Sequence, residues 1–495
     1  MTRPIGLSKS RIAAFEQCPK RLWLTVHRPE VADAGDDDDG TFTRGHGVGA
    51  EACAQCAGGI MVETGSDLRA ALAMTRDLIA GGHDAPIFEA TFEHDGVLVR
   101  VDIMEPLGDG RWHMAEVKSA GSVKDYHLGD LATQLWVTGN TGIPVASAAI
   151  RHIDTRFVLR REGDYRGIFK DTHLLADLQP LIARRGDQVA AARQVLGGPE
   201  PDHPVGAHCA APFTCEFMGY CHHDLPAGPD WPVTVLPGGA GKRWLEKGIQ
   251  DIFALDAALL TSATHQHVHR ATVTDTPYHD VDGARAAISV WAYPRTWLDF
   301  ETIGFVLPRW VGMRPYAQAP FQFSAHIEAA DGSIEHREFL SLDGSDPRRA
   351  CAEALLALIP DEGAIIAYNA PFERGCIAEL AATFPDLAEG LNRLNDRLVD
   401  LLPVTRNHWY HRDQRGSWSI KAVLPTVAPH MNYASLDVKD GMQAQQVYLE
   451  AIHPDCSQER RQAIDAGLRL YCGRDTEAMI VLARHLIGEA PAGIG

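Results

Sequence analysis

The alternation of apolar and polar positions divides the chain into two stretches of mixed α/β character joined by a segment rich in proline and glycine. In the first, Leu7-Ser-Lys-Ser-Arg-Ile-Ala-Ala-Phe-Glu-Gln-Cys18 reads as a capped helix, with Ser8 or Ser10 at its start and Cys18 within it. Asp36 to Asp39, followed by Gly40, reads as a charged surface loop. Pro86 to Met104 is strand-like and includes Val97-Leu-Val-Arg-Val-Asp-Ile. Gly108-Asp-Gly makes a turn and Trp112 to Val117 the returning strand, which predicts a hairpin. Gln134 falls on a helix expected to begin near Gly129. Leu225-Pro-Ala-Gly-Pro-Asp-Trp-Pro and Leu236-Pro-Gly-Gly-Ala-Gly read as linker. Short helices follow from Lys242 to about Ser289, and a new α/β unit opens near Trp291. Its first strand is Thr296-Trp-Leu-Asp-Phe-Glu, and it ends in a helix around Tyr471 to His485. The expected fold class is α/β in two domains, over 1–225 and 293–495, with linker and bridging helices over 226–292. No internal repeat or long low-complexity tract interrupts this order.

A length of 495 residues is too great for one ordinary domain and suits two or three. Hydrophobic residues at 45% and charged residues at 22% are globular proportions, so each domain can bury a core. No apolar run approaches the roughly 18 residues of a membrane helix, and the first ten residues lack a signal-peptide stretch. The expectation is a cytoplasmic protein with no membrane partner. A net charge of −19 argues against binding nucleic acid, because phosphate contacts usually require a basic surface. Carboxylates that hold divalent metals nevertheless count as negative until the metal arrives. The charge is also uneven. Arg151 to Arg193 carries nine Arg/Lys against six Asp/Glu, with Arg160-Arg161 and Arg184-Arg185 as pairs. That stretch suits a phosphate-facing patch or a solvated helix face equally.

Candidate chemistry in the first half lies on the hairpin. Glu116 and Lys118 share one face of their strand, and the turn brings Asp102 alongside. Two carboxylates can hold Mg²⁺ or Mn²⁺ through oxygen, with the lysine placed to orient water or stabilise charge on a transferring phosphate. His46 in Arg44-Gly-His-Gly-Val-Gly is a candidate further ligand. The competing reading is a salt bridge on an edge strand. Of ten cysteines, Cys18, Cys209, Cys215 and Cys221 form a set, the last three at five-residue intervals. Four thiolates can complete a tetrahedral site or a cluster, and joining residues 18 and 209 would staple the ends of the domain. Cys53 and Cys56 form a Cys-x-x-Cys pair in an Ala/Gly-rich stretch without partners, and Cys351, Cys376, Cys456 and Cys472 read as structural thiols.

Through these residues, the first 225 positions resemble RecB-like nucleases of the PD-(D/E)xK type, in the iron–sulfur branch that includes CRISPR-associated and AddB-type nucleases. The resemblance implies a restriction-endonuclease-like fold and a 4Fe–4S cluster on Cys18 (in Phe15-Glu-Gln-Cys-Pro-Lys-Arg-Leu-Trp), Cys209, Cys215 and Cys221. Zinc is the rival for the same four ligands. It also implies metal and catalytic roles for His46, Asp102, Glu116 and Lys118. Gln134 matches the start of the Gln-x-x-x-Tyr motif, but Thr138 stands where the tyrosine would be.

In the second half, Asp299 and Glu301 lie two apart on a predicted strand, and Tyr471 and Asp475 four apart on a predicted helix. Ala367-Tyr-Asn-Ala-Pro-Phe-Glu places Glu373 after a turn. A two-metal phosphoryl-transfer site needs several carboxylates converging on ions about 4 Å apart. Asp299, Glu301, Glu373 and Asp475 can supply them, with Tyr471 orienting the attacking water; the plain alternative is capping and surface charge. Residues from about 294 to 486 resemble DEDD-type exonucleases of the ribonuclease-H-like fold, in the tyrosine subtype. Glu373 departs from the aspartate of that family's second motif, and Asp400 is a candidate to share its role. Lys421 in Gly416-Ser-Trp-Ser-Ile-Lys resembles a Ser-Leu-Lys helix start and is a candidate phosphate contact.

The whole arrangement looks like an uncharacterised bacterial family known mainly as a domain of unknown function. It implies a metal-dependent nuclease acting on single-stranded or end-containing DNA, with RNA as the alternative substrate, in repair, processing or phage and plasmid defence. Protein partners in such a complex are part of that expectation. Thr138 and Glu373 favour a second reading, a partly relic or non-catalytic nucleic-acid-binding, redox-sensing iron–sulfur protein.

Overall fold

The computed structural model describes residues 6–33, 39–223, 225–431, 433 and 436–489, with side chains from Gly47 onward in the helix that begins at Asp39. The chain is mixed α/β and divides into two compact units. The first comprises Met1–Pro226 with Phe305–Ala317; the second comprises Ala227–Gly304 with Gln318–Gly495. No helix among the described residues is long and apolar enough to cross a membrane.

The first unit is built on seven strands: β1 (Leu7–Ser8), β2 (Ile60–Met61), β3 (Ile87–His94), β4 (Val97–Pro106), β5 (Trp112–Lys118), β6 (Val145–Ile153) and β7 (Phe169–His173). They run in the order β2-β3-β4-β5-β6-β7, with β1 parallel to the start of β4. The helices are α1 (Lys9–Gln17), α2 (Pro19–His27), α3 (Asp39–Ala54), α4 (Leu68–Ala80), α5 (Asp125–Asn140), α6 (Gln179–Gly197) and α7 (Met218–His222). Val97, Val99 and Val101 alternate into the core with Ala90, Phe92, Leu131 and Leu135, which turns Asp102 to the other face of β4.

Several expectations are corrected here. The strand-like run from Pro86 is two strands, because Asp95 and Gly96 both take positive φ, 48° and 64°, in a two-residue turn between His94 and Val97. Such turns match the right-handed twist of the strands they join. Cys18 lies between two helices, with φ of −162°, because Pro19 opens α2 and a residue before proline is driven to extended conformations. The helix carrying Gln134 begins at Asp125, four residues before Gly129. Asp39 and Gly40 belong to α3, while Asp36 to Asp38 and the side chain of His46 lie outside the described residues.

The basic stretch from Arg151 to Arg193 is largely consumed internally. Arg151 pairs with Asp171 and Glu105, Arg156 with Asp154, Arg166 with Asp164, and Arg193 with Asp95. Arg185 is fully buried against Glu16 and the Gly129 carbonyl, whereas Arg184 is exposed. The two arginines of that pair therefore face in different directions.

The second unit holds a five-stranded sheet of β9 (Arg295–Gly304), β10 (Gln318–Glu328), β11 (Ile334–Leu340), β12 (Ile365–Ala367) and β13 (Leu398–Asp400), in the order β11-β10-β9-β12-β13. The pairs on the β11 side are antiparallel and those on the β13 side parallel. A two-stranded piece joins β8 (Tyr278–His279) to β14 (Trp409–Tyr410). Leu298, Phe300, Phe323 and Ala325 pack under the helices Pro347–Leu358 and Pro371–Thr383. The opposite face meets the 29-residue helix Gln458–Leu486, where Gln322 donates to the Leu468 carbonyl and Ser324 bonds Thr476. The stretch read as linker is built into this unit by Pro232, which bridges Asp251, and by buried Val233, Val235 and Leu236.

Arg185 gives a direct test of the first core. Arg185→Met leaves Glu16 and a carbonyl without their partner, and removing one half of a buried pair costs about 3 kcal/mol, less the relief that a partly exposed Glu16 finds in water. Denaturant unfolding of the variant should show the first unit's transition at clearly lower concentration.

Candidate metal centres

In the first unit the geometry begins with β-sheet register. Ile103 pairs with Ala115, so Asp102 and Glu116 are neighbours at the next step. Phe88 pairs with Ile103 and Ala90 with Val101, which sets Glu89 opposite Asp102, at a φ of 54° that side chains rarely adopt. Glu89, Asp102, Glu116 and Lys118 line one open cavity of about 910 Å³. Asp102 accepts the Val117 N–H at 2.7 Å. Glu116 is buried and crowded with donors: Lys118 Nζ at 2.9 Å and Lys9 Nζ share Oε1, and Gln134 Nε2 reaches Oε2 at 2.5 Å. Lys118 also holds Asp130 at 2.7 Å.

Electrostatics follow from these contacts. Burial alone would raise the Glu116 carboxyl, but the Lys9 and Lys118 ammonium groups outweigh it and hold the pKa near 2. Asp102 goes the other way, raised by burial and then by the Glu116 charge, with Glu89 adding to it. Gln134 donates to the Arg100 carbonyl as well as to Glu116, so it positions the carboxylate, and its own Oε1 is buried without a partner. Thr138 turns its hydroxyl back to the Gln134 carbonyl and takes no part. Lys9, Glu89 and Asp130 were missed in the sequence. Only Asp130, one turn before Gln134 on α5, carried a signal that helical spacing could have exposed.

Cys18, Cys209, Cys215 and Cys221 line a second cavity of the same unit, together with His203, His208, Lys20 and Arg21. Donor atoms of Cys18, His203 and His208 lie within 4.8 Å of one another, a set able to hold a metal ion. The two histidines were not anticipated, since their spacing to the cysteines matches no ligand pattern. Burial raises the Cys215 and Cys221 thiols. Gln17, at the end of α1, ties the cysteine loop down by donating to the carbonyls of His208 and Phe213, both at 2.8 Å. Cys53 and Cys56 instead pack against Phe88, Ile103 and Ala115, with the Cys56 thiol on Glu105.

In the second unit, Asp299 and Glu301 on β9, Glu373 in the first turn of Pro371–Thr383, and Tyr471 and Asp475 on Gln458–Leu486 line one cavity of about 190 Å³ with Lys421. Donor atoms of Asp299, Glu301 and Cys472 fall within 4.8 Å of one another, again a set able to hold a metal ion. Glu301, Glu373 and Asp475 are buried, and Glu373 Oε2 has no hydrogen-bond partner. Tyr433 donates to Asp475 Oδ1 at 2.5 Å, and Lys421 Nζ to the Tyr471 hydroxyl at 3.2 Å and the Lys439 carbonyl. Asp400, a candidate to share the role of Glu373, accepts the N–H of Leu402 as a helix cap and that of Asn369, both on Oδ1, and its charge adds to the rise of the Glu373 carboxyl. Tyr433 and Cys472 had no sequence signal, because each is placed by tertiary packing alone.

Four carboxylates here face one lysine, and all four carboxyls are raised. Burial comes first in each case, pushing Glu301 and Glu373 to about 8 and Asp475 to about 6. Asp299 rises further, through burial and then the Asp475 and Glu301 charges. Groups shifted this way take protons in place of cations, the condition that a divalent ion reverses.

Residues 296–419 match the family described as Domain of unknown function (DUF2779). The matched stretch, about a quarter of the chain, contains Asp299, Glu301 and Glu373 and stops before Lys421, Tyr471 and Asp475. No curated protein matches the chain. No solved structure matches it either.

The carboxyl shifts predict a pH dependence with a definite sign. A carboxyl whose pKa is higher folded than unfolded stabilises the fold at low pH, and that stability is lost as pH rises through the folded value. Metal-free protein should therefore melt at falling temperature from about pH 5 to pH 8. Mn²⁺ should raise the midpoint more at pH 8 than at pH 5.5, and Asp299→Ala with Asp475→Ala should flatten both trends in differential scanning fluorimetry.

Proposed function

We propose that this chain is a divalent-metal-dependent nuclease with a RecB-like site in the first unit and a DEDD-type exonuclease-like site in the second. The observation that carries the reading is the second cavity, where Asp299, Glu301, Glu373 and Asp475 converge with one lysine and an unpartnered Glu373 oxygen. Buried carboxyls in such excess hold protons unless cations replace them, and phosphodiester hydrolysis is chemistry that paired Mg²⁺ or Mn²⁺ ions serve by holding the attacking and leaving oxygens. Bound metal there would lower the pKa of a coordinated water. The protein's own contribution is a Tyr471 hydroxyl held by Lys421, placed to orient that water, with Lys421 Nζ available to a phosphate oxygen.

In the first unit, Asp102 and Glu116 would hold the metal, Lys118 would stabilise charge on the phosphate, and Gln134 would fix the Glu116 carboxylate. His46 remains a proposed ligand. Cys18, Cys209, Cys215 and Cys221 would hold a 4Fe–4S cluster, a reading supported by their sharing one cavity; His203 and His208 supply what a zinc site would need instead. The expected substrate is DNA with a free end, in repair, processing or defence.

End-labelled single-stranded DNA and RNA, incubated with the protein and Mn²⁺, test the reading. Trimming should occur, stop with EDTA, and split between the sites. Asp102→Ala and Lys118→Ala should lower one activity by a hundredfold or more, and Asp299→Ala the other, on the scale expected for lost transition-state stabilisation. A chain that binds DNA yet trims neither substrate would establish the relic, binding-only alternative, which Thr138 favours. Anaerobically purified protein should carry about four irons per chain, and Cys215→Ala should lose them. One zinc and no iron would replace the cluster while keeping the ligands.

A further inference from the structure

We infer that Lys9 is a positioning residue of the first site, a built-in counter-ion that holds Glu116 when metal is absent and turns to the substrate phosphate when metal arrives. The inference rests on the metal-site reading of Asp102 and Glu116. Its starting point is the crowding at Glu116, where Lys9 and Lys118 both bond Oε1 while Gln134 occupies Oε2. With two ammonium donors on it, Oε1 is not open to a cation. A divalent ion on that oxygen would also stand beside two ammonium groups, and like charges at that range repel strongly away from bulk water.

One of the two lysines must therefore leave when metal binds. Lys118 is anchored a second time, on Asp130 at 2.7 Å, and sits on β5 beside the carboxylate it serves. Lys9 pairs with Glu116 and stands at the first position of α1, on a long side chain that is about a quarter exposed. Lys9 is the mobile one. The negative charge best placed to receive its ammonium is a phosphate of the bound strand, since Lys118 stays with Asp130. Metal and nucleic acid would then bind cooperatively, each removing the obstacle to the other, because coupling between two ligands is reciprocal.

The test uses full-length protein carrying Asp299→Ala and Asp475→Ala, so that Mn²⁺ titration reports the first site, with Asp102→Ala as the control that should abolish that signal. Mn²⁺ binding is measured by electron paramagnetic resonance with and without a short single-stranded oligodeoxynucleotide. Lys9→Met and Lys9→Gln should bind Mn²⁺ about tenfold more tightly without DNA, bind the oligonucleotide more weakly in EDTA, and lose most of the gain in Mn²⁺ affinity that DNA gives the parent. Lys9→Arg should keep the parent's behaviour. A merely structural lysine would shift both affinities in the same direction or neither. Unchanged or weakened Mn²⁺ binding in both uncharged variants overturns the role of Lys9. A Mn²⁺ signal that Asp102→Ala leaves intact overturns the metal-site reading beneath it.

Discussion

A carboxylate taken out of water must find positive charge or a proton, and the two units meet that requirement differently. Strand alternation and register bring acids together in both, Asp102 beside Glu116 in one sheet and Asp299 with Glu301 on a single strand in the other. The first unit answers with lysines: Glu116 stays ionised because Lys9 and Lys118 share it. The second, among the described residues, sets Lys421 against four acids, and its carboxyls rise instead. At Glu116 the first site is thus satisfied by its own side chains, while Asp102 rises as the acids of the second site do. The second is left holding protons.

Helix α1 ties much of the first unit to that balance. Ser8 caps it by accepting the Arg11 N–H, Lys9 at its first position reaches Glu116, and Cys18 follows its last residue. Between them, Glu16 takes the buried Arg185 and Gln17 holds the cysteine loop. Nine residues of helix span about 13 Å. Whatever occupies the cysteine cavity therefore sets the footing of the same helix that delivers Lys9.

Much of this was legible in the sequence, and the limits have physical reasons. The hairpin, the Ser8 cap and the shared faces of Glu116 with Lys118 and Asp299 with Glu301 follow from local periods of two and from capping chemistry, which act within a few residues. The break between Asp95 and Gly96 was legible too, as an Asp-Gly pair, but the apolar pattern on either side hid it. Lys9, Glu89, Tyr433, His203 and His208 were not legible. Each reaches its site through contacts distant in sequence, and nothing in a lysine at a helix start announces a carboxylate 107 residues away. The basic run was left open between two readings for the same reason. Counting charges between Arg151 and Arg193 ignores Glu16, Asp95 and Glu105, which lie outside it and neutralise three of its arginines.

Glu373 shows how a departure from a motif can be read from its surroundings. Its residue stands third in a helix whose Pro371 fixes the start, so its backbone position is set by the helix and by the packing of Cys376, Ile377 and Leu380 beneath β9. From there the side chain must cross to the cavity that Asp299 and Asp475 line. The extra methylene supplies reach that an aspartate at the same position would lack. The carboxylate arrives with one oxygen unpartnered, while Asp400 accepts two backbone N–H groups on Oδ1. A buried acceptor without a donor is costly, and a proton on the carboxyl, a water or a cation would repay it. On the nuclease reading proposed above, Glu373 would offer that oxygen to a cation.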